Sequence, residues 1–274
     1  MSTLARRPGP SVRARVTQHT DEGDRVREDR LATEEPLEIR LAAPGQPAQR
    51  VWVTMRTPGH DFELAAGFAV NESLVPPSEI VRVAYCTDAE LEREEEFNVV
   101  TITVARPTDI GHRHAAQSAG SSACGVCGKD SVAEVLDVRA AERWSGPIPG
   151  VEVVRGLPAR MRERQSVFER TGGVHAAALA DEDGSLLVVR EDVGRHNAVD
   201  KVIGARVLAG QPRAAACLVV SGRAGFELVQ KAVASGIGSL VAVGAPTSLS
   251  VRLASESGLA LFGFTSERRC VQYA

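Results

Sequence analysis

Gly172-Gly-Val-His-Ala-Ala-Ala-Leu-Ala-Asp-Glu-Asp-Gly-Ser-Leu-Leu-Val-Val-Arg-Glu-Asp-Val-Gly-Arg-His-Asn-Ala-Val-Asp-Lys201 decides how the chain folds. Two apolar runs, Val174–Ala180 and Leu186–Val189, flank Asp181-Glu-Asp-Gly184, which signals a β-hairpin. Gly194–Leu208 then carries Ala198, Val199, Val202 and Ile203 at helical spacing, with Asp192 placed to cap it. Toward the C-terminus, strands and helices alternate: Cys217–Ser221, helix Phe226–Ala234, Ser239–Val243, helix Leu249–Ser255 and Leu259–Phe264. Alternation of this kind predicts a largely parallel α/β sheet covered by helices, here entered through an antiparallel hairpin. Ligands of such sheets bind beyond the carboxyl ends of the strands, which here are Ser221-Gly-Arg223, Gly244-Ala-Pro-Thr-Ser248 and Phe264 onward.

The region N-terminal to this reads as a separate unit. Leu37, Ile39 and Leu41 alternate with Glu38 and Arg40, and Val51–Met55 returns after a Pro-Gly turn. Asp61 is placed to cap a helix with Phe62, Ala65, Ala66 and Ala69 on one face, and strands follow at Ile80–Tyr85 and Asn98–Ala105. Residues 1–30 hold many charges, Pro and Gly but few large apolar side chains, and are expected to be a disordered tail. The expected organisation is therefore a tail (1–30), an α+β domain (31–108), a mobile loop (109–128) and an α/β domain (129–274). The loop is rich in Pro, Gly, Ser, Ala and His and has no period, and long loops of that kind are usually functional.

The 274 residues have a formal net charge of −3, which advertises neither nucleic acid nor an anionic membrane as partner. No apolar run approaches the roughly 20 residues of a membrane span. Arg6-Arg7 is followed by Pro-Gly-Pro, not by the apolar stretch of an export signal, so a cytoplasmic location is expected. Five cysteines argue against a disulfide framework. Cys86 and Cys217 read as strand residues packed in a core, and Cys270 is ambiguous.

Cys124-Gly-Val-Cys127-Gly-Lys129 is built for reactivity. A loop entering a helix, with Lys129 beside it, favours the thiolate. Such a thiolate can accept a sulfane sulfur as a persulfide, with its neighbour resolving or orienting it. Half of a zinc site is the competing reading; it needs two more ligands, for which His112 and His114 are near in sequence. A thioredoxin-like pair would follow a strand directly, and this one follows a loop. His175 enters an apolar strand and reads as a core histidine; a zinc deaminase would need Glu at position 177, which is Ala. Arg195, His196 and Asn197 crowd the first turn of a helix, where positive charge opposes the dipole, so they point to an anionic ligand or to a solvated face. Arg223 beside a glycine turn, with Arg268 and Arg269 near the C-terminus, points to a ligand bearing several phosphates.

Met55-Arg-Thr-Pro-Gly-His-Asp-Phe-Glu-Leu-Ala, Ser122-Ala-Cys-Gly-Val-Cys-Gly, Thr171-Gly-Gly-Val-His, Glu191-Asp-Val-Gly-Arg-His-Asn-Ala-Val-Asp-Lys, Ser221-Gly-Arg and Gly244-Ala-Pro-Thr-Ser, in this order, resemble the formate dehydrogenase accessory sulfurtransferase family, FdhD/NarQ. The resemblance implies a sulfurtransferase that takes persulfide sulfur from a cysteine desulfurase. It passes that sulfur to the molybdenum bis(guanine dinucleotide) cofactor, bound as substrate, before insertion into apo formate dehydrogenase. It also implies a cytidine-deaminase-like larger domain and a homodimer; no permanently bound metal is expected. The persulfide cysteine falls on Cys124, with Cys127 as partner. The cofactor-binding stretch falls on Phe264, Thr265, Ser266, Glu267, Arg268 and Arg269, and of these 265–268 depart from the family's arginine-and-glycine pattern. Two readings compete with sulfur transfer: a non-catalytic chaperone of the molybdenum cofactor, and a zinc-structured protein.

Overall fold

The computed structural model describes residues 8–86, 96–107 and 143–274. Its first element corrects the expectation for residues 1–30. Strands β1 (Ser11–Thr20) and β2 (Gly23–Ala32) form an antiparallel hairpin, closed at Gly23 with φ 118°. Composition hid it because the hairpin is held by cross-strand charge pairs more than by apolar burial. His19 lies 2.6 Å from Asp24 and Arg13 lies 3.4 Å from Glu28.

The expected α+β unit follows. Strands β3 (Glu35–Ala42), β4 (Gln49–Arg56), β5 (Ile80–Tyr85) and β6 (Val99–Val104) form one sheet in the order β4-β3-β6-β5. β3 pairs antiparallel with β4 and parallel with β6. The alternation read from Leu37, Ile39 and Leu41 turns those three inward, against Leu64 and Phe68 of helix α1 (Asp61–Asn71). Asp61 does not cap α1. His60, in the left-handed region at φ 59°, occupies the cap position, and Asp61 instead binds the buried Arg56 through Nε at 3.1 Å.

The second unit runs α2 (Val151–Arg162), α3 (Ser166–Thr171), β7 (His175–Ala180), β8 (Leu186–Asp192), α4 (Arg195–Leu208), β9 (Cys217–Val220), α5 (Phe226–Ala234), β10 (Ser239–Ala242), α6 (Ser248–Ser257), β11 (Ala260–Ser266) and β12 (Arg269–Gln272). Its six strands lie in the order β12-β11-β10-β9-β7-β8, with β9, β10 and β11 parallel and the β7–β8 hairpin antiparallel at one side. This is the mixed α/β sheet expected from the alternation. Helices cover both faces, so β9 and β10 are buried throughout. α4, α5 and α6 pack on one face through Val199, Val202, Leu228, Val229 and Leu253. α2 covers the other, with Val154, Leu157 and Met161 against Ala178, Val219 and Val241. Cys217 lies in that second core, where burial pushes its thiol up to about 12, so it is chemically inert.

The two units meet where α1 crosses α4, at a backbone distance only glycine permits. A Cβ on Gly67 would sit 1.9 Å from the Asp200 carbonyl oxygen, and one on Gly204 would sit 1.8 Å from that of Glu63. That crossing explains why Ala65, Ala66 and Ala69 are wholly buried: α1 is covered by its own sheet on one side and by α4 on the other. No helix among the described residues is long and apolar enough to cross a membrane.

Candidate functional site

Because β8, β9, β10 and β11 run the same way, their carboxyl ends and the amino ends of α4, α5 and α6 gather on one edge of the large sheet. The ladder continues past the strands into the loops. The Gly244 amide donates to the Gly222 carbonyl at 2.9 Å, the Phe264 amide to the Gly244 carbonyl at 3.1 Å, and the Ala224 amide to the Ala245 carbonyl at 3.1 Å. Glycine suits position 244, since a Cβ would lie a tight 3.0 Å from the Arg223 Cα. The three strand-end segments read from the sequence are thus one continuous backbone surface.

The predicted side chains line this surface in sequence across the sheet. Arg195, in the first turn of α4, places its Cδ 3.8 Å from where a Gly222 side chain would begin. Exposed Arg223 comes next, then Gly244, then Phe264. Phe264 holds a left-handed φ of 50° and is 41% exposed, although a phenylalanine would ordinarily be neither. Strain of this kind in a loop at a strand end is typical of ligand sites. The Arg269 guanidinium sits over its ring at 5.6 Å. Ser266 pairs with Arg269 across the β11–β12 turn, leaving Glu267 and Arg268 exposed at the tip. Cys124, Cys127, Lys129, His112 and His114 lie outside the described residues.

Two buried polar atoms, Arg195 Nε and Thr265 Oγ1, the latter on a residue only 2% exposed, have no hydrogen-bond partner among the described residues. Buried donors and hydroxyls are rarely left unpaired. Together with Arg195, Arg223, Arg268 and Arg269 and two side-chain-free glycine turns, they fit a ligand carrying several phosphate oxygens.

His196 is ion-paired with Glu227 of α5, Nε2 to Oε2 at 2.6 Å, so it ties two helix amino ends together. His175 sits at the start of β7 with Nδ1 3.4 Å from the Ser221 hydroxyl, which itself accepts from the Ala176 amide at 2.9 Å. Burial holds its pKa below the ordinary value, and the Arg195 and His196 charges push the same way. It is half-buried at the strand edge, not a core residue as its apolar strand suggested.

The remainder of the dense polar run faces inward. Asp192 does not cap α4; Gly194 holds that position, and Asp192 Oδ1 accepts from the Gly194 amide at 2.8 Å and from Asn197 Nδ2 at 3.0 Å. Lys201 Nζ lies 2.6 Å from Asp192 Oδ2 and donates to the Thr57 carbonyl at 2.9 Å. Asn197 also donates to the Met55 carbonyl, and the Val193 amide to Thr57 Oγ1. Two sequence motifs more than 130 residues apart, 55–61 and 191–201, are therefore one buried hydrogen-bonded latch. It fixes the start of α4, and with it Arg195 and His196.

The fold is a mixed α/β sheet whose strand-end surface gathers arginines and glycine turns of the kind that suit phosphate oxygens. The FdhD/NarQ family model matches residues 32–274, and the chain belongs to that family. Curated relatives include the sulfur carrier protein FdhD of Nocardia farcinica, 46% identical over 260 residues covering 93% of this chain and 89% of that one. That of Streptomyces coelicolor is 48% identical over 263 residues, covering 92% and 89%. A Desulfotalea psychrophila protein described as a formate dehydrogenase accessory protein shares the fold, with a TM-score of 0.73, 22% identity and 96% of each chain covered.

Proposed function

We propose that the chain is a sulfur carrier that supports maturation of formate dehydrogenase. The observation that supports this reading is the strand edge in a member of the FdhD/NarQ family, where Arg195 lies beside Gly222, Arg223 beside Gly244, and Arg269 over the exposed Phe264 ring. The molybdenum bis(guanine dinucleotide) cofactor is the substrate held there. Arg195, Arg223, Arg268 and Arg269 meet its phosphates, Thr265 and Ser266 offer hydroxyls, and Phe264 offers a face on which a purine can stack.

Sulfur arrives through Cys124. Its thiolate attacks the terminal sulfur of a cysteine desulfurase persulfide; a new S–S bond forms and the donor's S–S bond breaks. The donor cysteine leaves as a thiolate, and Cys127 shields or resolves the new persulfide. The chain then acts as a sulfurtransferase toward the bound cofactor, which passes to apo formate dehydrogenase in the cytoplasm. The hairpin-then-parallel order of β7–β11 supports a cytidine-deaminase-like assignment for the larger domain (129–274), with the 31–108 domain and the 109–128 loop preceding it. The family resemblance supports a homodimer.

Intact-mass spectrometry after incubation with a cysteine desulfurase and cysteine tests the relay. A reducible gain of about 32 Da, absent from Cys124→Ala, is expected. No gain in the wild type, with the desulfurase active, would leave a cofactor chaperone as the better reading.

A further inference from the structure

Gly222 leaves a notch in the strand edge. A Cβ there would lie 3.5 Å from both Nδ1 and Cε1 of His175 and 3.8 Å from Cδ of Arg195. The notch is therefore floored by backbone just past β9 and walled by two side chains. His175 comes from the start of β7, and Arg195 from the first turn of α4.

The hydrogen bonds around His175 decide which ring nitrogen is free. The Ser221 hydroxyl oxygen accepts from the Ala176 amide at 2.9 Å and lies 3.4 Å from Nδ1, so its own proton is best placed on Nδ1. That assigns the hydrogen of the neutral ring to Nε2, which has no partner among the described residues. Arg195 adds a second donor without one, its buried Nε.

The charges acting on the ring are Arg195 and His196 of α4 and Asp192 of β8, while Ser221 after β9 is neutral. Asp192 is committed to Lys201, Gly194 and Asn197, and His196 to Glu227 of α5. Burial and the two cations hold His175 below its ordinary pKa, so the ring is largely neutral at pH 7. An anion seated in the notch offsets the cations and favours the charged ring.

We propose that the Gly222 notch is a phosphate subsite in which His175 Nε2 and Arg195 donate to one phosphate group, and that His175 takes up a proton as that phosphate binds. This rests on the reading that a phosphorylated ligand occupies the strand edge, and adds to it a residue and a proton. Affinity then rises as pH falls through the pKa of the bound state and levels off below that of the free state.

Diguanosine diphosphate is the probe, because its phosphates are diesters that stay ionised, and its guanines stay neutral, from about pH 5.5 to 8, the range that brackets histidine. Its binding to the full chain is measured across that range. The His175 Cε1 proton is followed by NMR and assigned by its loss in His175→Gln. The wild type should bind at least about threefold more tightly at the acid end, and ligand should raise the His175 midpoint by at least about half a pH unit. His175→Gln, whose amide keeps a donor but does not titrate, should hold the wild type's alkaline affinity at every pH. His175→Ala should bind more weakly than His175→Gln throughout, and melting curves check that both variants keep the fold. A ring that only packs would give neither the slope nor its loss. Wild-type binding without pH dependence, a His175 midpoint that ligand leaves in place, or a wild-type slope in His175→Gln, which would put the proton on His196, would each overturn the subsite and leave the phosphorylated-ligand reading standing. No binding by the wild type at any pH would overturn both.

Discussion

Lys201→Met is the substitution that most sharply tests the latch behind the ligand edge. Lys201 and Asp192 are 1% and 0% exposed, with Nζ and Oδ2 2.6 Å apart. Methionine keeps most of the volume, so packing is nearly conserved and the loss is electrostatic. The Asp192 carboxylate keeps the Thr57 and Gly194 amides and the Asn197 side chain, all neutral donors. The carbonyls of Thr57 and Glu191 lose the ammonium donor. Removing one partner of a buried pair costs about 3–5 kcal/mol, because the other charge stays buried. For a chain of this size that is a fall of roughly 6–20 °C in melting temperature. Urea and thermal denaturation measure it. Asp192→Asn in the Lys201→Met background should recover a large part of the loss, since it removes the stranded charge. A single-variant loss below about 1 kcal/mol, or no recovery in the double variant, would refute this account of the latch.

Three further outcomes follow from particular contacts. Gly67→Ala forces α1 away from the Asp200 carbonyl and should destabilise by at least about 1–3 kcal/mol, whereas Gly156→Ala in α2, with nothing nearer than 3.9 Å, should stabilise by about 0.5–1 kcal/mol; melting curves of both variants check this. Burial opposes ionisation of Glu63, but hydrogen bonds from Arg190 and His60 outweigh it and hold the carboxyl at about 2, so this group's stabilisation is full above pH about 4.5 and is lost as pH falls toward 2. Glu63→Gln should flatten urea stability across that window. His175 titrates below its ordinary value, so it disfavours the fold as pH drops below about 6.5, and His175→Gln should remove that part of the pH dependence.

Much of the larger sheet was legible because hairpin and helix periods alternate cleanly from Val174 onward. α2 was missed although Val154, Leu157 and Met161 recur at helical spacing, because Pro158 and three arginines break the apolar stripe. β1 and β2 were missed because a hairpin held by cross-strand charges has the composition of a disordered tail. The conflict of Arg195 and His196 with the helix dipole left an anionic ligand and a solvated face both open, and the structure pairs His196 with Glu227. Their neighbours Asn197, Asp200 and Lys201 follow the same helix toward its inner face, and no local signal says that a polar face is buried. That required the partner motif at 55–61, whose backbone carbonyls accept from Asn197 and Lys201, and Asn71 and Lys231, which donate to Asp200.

Equilibrium binding of guanosine diphosphate, a fragment with the same base and phosphate chemistry as half of the expected cofactor, tests the ligand edge most directly. The account predicts saturable binding to the wild type that weakens with salt, and a loss of at least about tenfold in an Arg195→Glu, Arg223→Glu variant that melts like the wild type. Equal binding by the two proteins, or none by either, would contradict it.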